Sequence, residues 1–245
     1  MLYQKFLKEK GKTKFAVLID PDKPTDEELL KTAKLAKKSG VDYFFVGGSL
    51  LTNDNLDHCI KILKKETSIP VILFPGNTMQ ISNHADGILL LSLISGRNPE
   101  LLIGRHVLVA PYLKYSPLEI ISTGYILIES GKPTTVSYMS NSVPIPRDKK
   151  DIAACTAMAG EMLGMKLIFM DAGSGAKYPI PPETIKTVRQ CVDIPIIIGG
   201  GIDNEEKAIE AAKAGADVIV IGNAIEKDPE LIHKVSKALK TETCA

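Results

Sequence analysis

The stretch IPIIIGGGIDNEEKAIEAAKAGADVIVIGN, residues 194–223, decides the fold. A short apolar run, Ile194 to Gly199, ends in glycines, and a second, Val218 to Gly222, does the same. Between them Asn204 to Ala214 reads as a helix, with Asp203 or Asn204 as N-cap and Gly215 as its stop. Neither run alternates apolar with polar residues, as expected of parallel strands covered on both faces. Working outward, six further runs read the same way: Phe15 to Asp20, Tyr43 to Gly47, Pro70 to Phe74, Gly87 to Leu91, Tyr125 to Glu129 and Leu167 to Asp171. Helical patterns separate most of them. In Thr25 to Ser39, Glu27 and Glu28 lie in the first turn and Gly40 just past the end, which suits the helix dipole and a C-terminal cap. Eight strands in this rhythm predict a closed α/β barrel of the TIM (β/α)8 type, formed as a single domain over residues 1–245. An open doubly wound sheet is the alternative.

Two connections resist this reading. In Asn98 to Ser122 the run His106 to Leu113 fits an extra strand or an irregular connection, and Pro99, Pro111 and Pro117 argue against one long helix. Lys132 to Arg147 reads as a mobile loop above the fifth strand.

The bulk numbers exclude several classes. A chain of 245 residues, 44% hydrophobic, can bury a large core as one barrel. A net charge of +1 gives no support to a nucleic-acid partner. The cysteines Cys59, Cys155, Cys191 and Cys244 are scattered without a CxxC pair, so they read as reduced thiols of a cytoplasmic protein. Met1 to Lys14 is lysine-rich without an apolar signal core, and no run approaches the roughly 18 apolar residues of a membrane span.

In a barrel of this type, chemistry collects at the carboxyl ends of the strands. Those ends are polar and glycine-rich here: Asp20-Pro-Asp-Lys23, Gly47-Gly-Ser49, Glu129-Ser-Gly131, Asp171-Ala-Gly-Ser-Gly175, Gly199-Gly-Gly-Ile202 and Gly222-Asn223. Glycine lets backbone amides approach a ligand, and the loops after the seventh and eighth strands are this fold's usual phosphate site. Gly199 to Gly201 with Gly222-Asn223 therefore predict phosphate binding, against the plainer reading of tight turns. Asp20 and Asp22, with the Ser49 hydroxyl, offer oxygen ligands for Mg²⁺; the plainer reading is a solvated turn and a helix cap. Glu129 and Asp171 end strongly apolar strands, where a carboxylate is costly unless paired or functional, so either suits a polyol contact or a general base. His58, His84, His106 and His233 lack metal-ligand spacing and suit surface or interface roles. No nucleophile elbow and no dinucleotide fingerprint is present.

With these residues in view, the sequence resembles the geranylgeranylglyceryl phosphate synthase family, whose bacterial cousins include heptaprenylglyceryl phosphate synthase. The matching segments are Ile19-Asp-Pro-Asp-Lys23, Val46-Gly-Gly-Ser49, Gly124-Tyr-Ile-Leu-Ile-Glu129, Asp171-Ala-Gly-Ser-Gly-Ala176, Gly199-Gly-Gly-Ile202 and Ile221-Gly-Asn223, in family order across almost the whole chain. The resemblance implies a cytoplasmic homo-oligomer, dimer or hexamer, that joins sn-glycerol 1-phosphate to a polyprenyl diphosphate with Mg²⁺ and releases diphosphate. A transient membrane contact for the lipid product belongs to that implication. Carried over position by position, Asp20 and Ser49 are associated with the metal. Phe169, Met170, Ala172, Gly173, Ser174, Gly175, Gly200, Gly201, Gly222 and Asn223 cradle glycerol phosphate. Tyr125 and Glu129 lie near the glycerol, and Asp171 or Glu129 takes the proton. Segment forms nearer the archaeal-type enzymes imply a geranylgeranyl donor, with the heptaprenyl donor as alternative. Where much of the family has Tyr-Leu-Glu, this chain has Phe169-Met-Asp171, and the lysine of the heptaprenyl enzymes two residues before Asp20 is Leu18. Two other readings stand beside this one: a sugar-phosphate isomerase or aldolase, and a non-catalytic phospholigand sensor, which has no need of Asp20, Glu129 and Asp171 on three strand ends.

Overall fold

The computed structural model describes residues 1–8 and 12–243. Eight parallel strands close in sequence order into a barrel: β1 Lys14–Ile19, β2 Tyr43–Val46, β3 Val71–Leu73, β4 Gly87–Leu93, β5 Glu119–Leu127, β6 Leu167–Asp171, β7 Ile196–Gly199 and β8 Val218–Ile221. Closure is made by β8 against β1, with Phe15 opposite Ile219 and Val17 opposite Ile221. The helices are α1 Leu2–Lys8, α2 Asp26–Ser39, α3 Leu56–Glu66, α4 Arg105–Lys114, α5 Thr135–Ser140, α6 Lys150–Met162, α7 Pro182–Arg189, α8 Glu205–Lys213, α9 Asn223–Lys227 and α10 Leu231–Thr243. Cys244 lies outside the described residues.

Local signals set the helix ends. Thr25 and Glu28 form a reciprocal capping box at the start of α2, and Gly40 ends it with φ 71°. The Asn204 side chain accepts from the Lys207 amide at the start of α8.

The strand residues sort into two apolar layers. Val17, Phe44, Leu73, Ile126, Ile168, Met170, Ile198 and Ile219 face the helices, whereas Ala16, Phe45, Ile72, Leu89, Tyr125, Phe169, Ile197 and Val220 fill the barrel interior. Both layers are apolar, which is why the strands read as unbroken runs. At the amino-terminal end α1 stoppers the interior: Phe6 stacks on Tyr43 at 4.8 Å, and the Leu2 and Tyr3 amides donate to the Glu119 carboxylate. The opposite end is left open for chemistry.

Three expectations need correction. Strand β5 begins at Glu119 and ends at Leu127, so it starts six residues before the expected Tyr125 and Glu129 lies beyond it. Residues 98–122 contain no extra strand: a π-helical turn, Glu100–Gly104, runs into α4. Helix α4 tolerates Pro111 because the ring falls in its last turn and faces outward, so at most one backbone hydrogen bond is lost. The loop expected above β5 carries α5, which begins at a capping box on Thr134 and ends at Asn141 with φ 49°. Among the described residues no helix is long and apolar enough to cross a membrane. Cys59, Cys155 and Cys191 are free, and burial pushes the Cys59 thiol up to about 12.

Candidate active site

Strand alternation places the polar strand ends. On β6, Leu167 and Phe169 point inward, so Asp171 does too; on β5, Tyr125 points inward. The two meet at the open end of the barrel. The Tyr125 hydroxyl donates to Asp171 Oδ2 at 2.5 Å, and the Gly173 amide donates to Asp171 Oδ1 at 2.7 Å. Only 8% of Asp171 is exposed. Burial raises its carboxyl above the ordinary carboxylate value, while the bonds from Tyr125 and Gly173 pull it partly back. Burial and the Asp171 charge push the Tyr125 phenol well above its usual value, so it stays protonated and keeps donating. The result is a desolvated, oriented carboxylate with a raised proton affinity, as a general base requires.

Glycines give this carboxylate its room. Gly200 has φ 80°, and a Cβ there would lie 2.6 Å from Asp171 Oδ1 and 2.7 Å from the Gly173 nitrogen. Gly173, at φ 89°, leaves no space for a Cβ against Thr134. Among the described residues nothing accepts from the amides of Ser174, Gly175, Gly200 and Gly201. The Ser174 hydroxyl bonds Asn223 Oδ1 at 2.9 Å, which joins the loop after β6 to the one after β8.

Across the barrel mouth, Asp20 follows β1. Lys23 Nζ lies 3.4 Å from Asp20 and 3.0 Å from Glu226 of α9. Partial burial pulls the Lys23 ammonium down, but the bonds and charges of Glu226 and Asp20 outweigh it and raise it. Asp22 Oδ2 accepts from the Thr52 and Asn53 amides, and Asp22 Oδ1 is buried with no hydrogen-bond partner. Gly48 runs past Asp20: a Cβ on it would be 3.5 Å from that carboxylate. The Gln80 side chain clamps this region by accepting from the Gly48 and Gly76 amides and donating to the Gly48 carbonyl at 2.7 Å, which fixes the turn carrying Ser49. Asp20, with the turn carrying Ser49 running past it, and Asp22, with its orphaned oxygen, are oxygen donors of the kind Mg²⁺ takes while keeping several waters. Among the described residues no three acidic, histidine or cysteine side chains cluster tightly enough for a protein-only cage.

A groove leaves the same mouth. Gly48, Ser49, Phe74, Gly76, Leu93 and Tyr125 line its opening. It continues between β4 and α4, over Ile88 and Leu90 on one side and Leu101, His106, Val109 and Leu113 on the other, with Val136 and Met139 of α5 over the top.

The predicted residues therefore divide. Tyr125, Asp171, Phe169, Gly173 and Gly200 come together, with Ser174, Gly175, Gly201, Gly222 and Asn223 in the adjoining loops and Asp20 and Ser49 across the mouth. Glu129 lies apart: its carboxylate accepts from the Gly131 amide, and it faces a second cavity under the loop of residues 130–144. Met170 does not present its side chain to the mouth; the pleat turns it into the helix-facing layer, fully buried, and Ala172 packs in that layer as well. His106, read as a surface or interface residue, lines the groove instead and bonds the Leu91 carbonyl through Nε2 at 2.9 Å. Phe74 and Gln80 escaped the sequence reading; counting the pleat forward from Ile72 would have turned Phe74 inward, whereas nothing in the sequence singles out Gln80.

Fold and site together define the class: a (β/α)8 barrel with a buried carboxylate and glycine-rich loops at its carboxyl rim, and an apolar groove opening from the same place. The chain belongs to the PcrB family, whose sequence profile matches residues 5–240. It is 57% identical over 240 residues to the geranylgeranylglyceryl phosphate synthase of Chitinophaga pinensis, covering 97% of this chain and 95% of that protein. The corresponding synthase of Spirosoma linguale is 52% identical, with 94% and 92% covered. The crystal structure of (S)-3-O-geranylgeranylglyceryl phosphate synthase from Thermoplasma acidophilum, in complex with its substrate sn-glycerol-1-phosphate, superposes with a TM-score of 0.93 at 32% identity, covering 98% of this chain and 99% of that one.

Proposed function

We propose that the protein joins sn-glycerol 1-phosphate to geranylgeranyl diphosphate, forming an ether and releasing diphosphate. One observation carries the reading: the buried Tyr125–Asp171 pair sits at the mouth of an apolar groove, so a polyol and a long hydrocarbon can meet there. The relatives' names and the glycerol phosphate complex of the Thermoplasma enzyme point the same way. A sugar-phosphate enzyme or a phospholigand sensor has no use for the groove.

In this reading the unpaired amides of Ser174, Gly175, Gly200 and Gly201 hold the phosphate, aided by Gly222 and Asn223. Asp171 orients the glycerol 3-hydroxyl and takes its proton as the oxygen attacks. Tyr125 holds Asp171 in place. Asp20, Asp22 and Ser49 would hold Mg²⁺, which would supply charge neutralisation for the departing diphosphate.

Groove length supports the twenty-carbon donor. From Leu101 to Leu113 the helical wall, the end of the π-helical turn followed by α4, makes twelve steps and so spans at most about 18 Å at ~1.5 Å per residue. An extended five-carbon unit of four bonds advances about 5 Å, so the groove takes about four units and not seven. The test is turnover with twenty- and thirty-five-carbon donors, with and without a chelator. The account expects chelator-sensitive product chiefly from the shorter donor; equal use of both would remove the length argument.

The same reading extends to self-association. Helix α4 is apolar on both faces, yet Val107, Leu108 and Tyr112 on its outer side, with Ile103 just before it and Tyr115 just after, are 65–89% exposed. With two tyrosines presenting up to ~150–250 Å² each and three smaller aliphatic side chains beside them, the patch is on the order of 700 Å². That exceeds the ~300–600 Å² of a typical monomer's largest patch. It matches the ~800 Å² that each partner contributes to a stable interface, so a second copy of this chain is the occupant it fits.

A further inference from the structure

Phe74 follows β3, and the alternation of that strand, with Ile72 inward and Leu73 outward, turns its ring into the barrel mouth. The ring stacks on Phe169 with centroids 4.9 Å apart and planes 18° apart, and lies 6.5 Å from the Phe45 ring and 6.1 Å from the Tyr125 ring. Its backbone is pinned. The Phe74 amide donates to the Val46 carbonyl at 2.9 Å, and its own carbonyl lies where a Cβ on Gly47 would come within 2.2 Å. Phe74 is half-buried and lines the groove's opening. On one side of that opening are Gly48 and Ser49, on another Leu91 and Leu93, and Tyr125 leads directly to Asp171. Residues assigned to all three parts of the proposed reaction thus line one opening together with this ring.

The chemistry gives that face a task. As the bond between the allylic carbon and the diphosphate oxygen breaks, the electron pair leaves with the diphosphate and positive charge spreads over the allylic carbons. A carboxylate or water beside that charge would capture it as an ester or an alcohol. An aromatic face attracts a cation through its quadrupole and offers no lone pair to form a bond.

Resting on the reading above, we propose that Phe74 is a catalytic residue whose ring lies against the allylic carbons of the prenyl donor and stabilises the charge that develops there. The glycerol oxygen then forms the new carbon–oxygen bond, its proton passes to Asp171, and Phe74 exchanges neither atoms nor electrons.

The test replaces Phe74 with 4-fluoro-, 3,5-difluoro- and 3,4,5-trifluorophenylalanine, which nearly keep the ring's shape while draining its negative face. The expected result is a stepwise fall in kcat of about threefold per fluorine, with KM for both substrates little changed, and a loss of about thirtyfold for Phe74→Leu. A flat fluorine series would overturn the proposal even if Phe74→Leu is inactive, because the ring would then serve only as a spacer. Wild-type turnover is the separate control: if the unmodified protein makes no prenyl ether, the function itself fails and this inference falls with it.

Discussion

Replacing Asp171 with asparagine separates the chemistry of the site from its architecture. The two side chains have the same shape, and the amide can keep both native contacts: its oxygen accepts from the Gly173 amide, and its nitrogen donates to the Tyr125 oxygen. Folding therefore survives. The pH dependence of stability should change in a defined sense. Burial raises the Asp171 carboxyl in the folded protein, so the native state binds its proton more tightly than the unfolded chain does. Wild-type stability then falls as pH rises from the ordinary carboxylate value through the raised native one, and the asparagine variant lacks this fall. At neutral pH the variant should melt at or above the wild-type temperature, with the advantage vanishing in acid. Catalysis behaves oppositely. Loss of a positioned general base costs about 10²–10⁴ in rate, so kcat should drop by that factor with little change in the affinity for glycerol phosphate. Single-turnover kinetics at saturating substrates, with calorimetric melts at two pH values, make the measurement. Turnover within about threefold of wild type would refute the assignment of Asp171 as base. Glu129→Gln is the matched control, since Glu129 faces the other cavity, and it should cost less than about threefold.

The remaining predictions concern neighbours of this carboxylate and the groove. Tyr125→Phe removes a bond that lowers the Asp171 carboxyl, so the acid limb of the kcat/KM profile should move to higher pH; an unmoved limb would contradict the coupling. Gly200→Ala puts a methyl 2.6 Å from Asp171 Oδ1 at a φ of 80°, which should cost about 1–3 kcal/mol and lower Tm by several degrees along with activity. Val109→Phe fills the groove under α4 and should shift donor preference to the fifteen-carbon chain in competition assays. Leu108→Glu charges the outer face of α4 and should convert the sedimenting species to monomer without unfolding it.

Most of the frame was legible because parallel strands buried on both faces announce themselves as apolar runs, and seven of the eight lie within three residues of their predicted starts. The exception, β5, opens with Glu119, Ser122 and Thr123: Glu119 is drawn away to cap α1, and Thr123 bonds the Ile121 carbonyl, so polarity there reflects local partners and not solvent. Pro111 hid α4, since a rule about helix interiors says little about a last turn. The placement of the glycine clusters and of Asp171 at the open end of the barrel was readable because close approach and buried charge leave few alternatives. The groove was not, because its lining comes from β4, α4, α5 and the loops after β2 and β3, a property of no single residue or segment. The strand expected to end at Glu129 stops two residues earlier, and the Glu129 carboxylate accepts from the Gly131 amide beside the second cavity.

The central claim is that the glycerol oxygen attacks the prenyl carbon at the mouth of the groove. It is tested most directly by incubating the protein with geranylgeranyl diphosphate and sn-glycerol 1-phosphate carrying heavy oxygen in the 3-hydroxyl, then weighing both products. The account predicts an ether that retains the label and a diphosphate that is free of it. Label in the diphosphate, or no ether from the 1-phosphate at all, would contradict it.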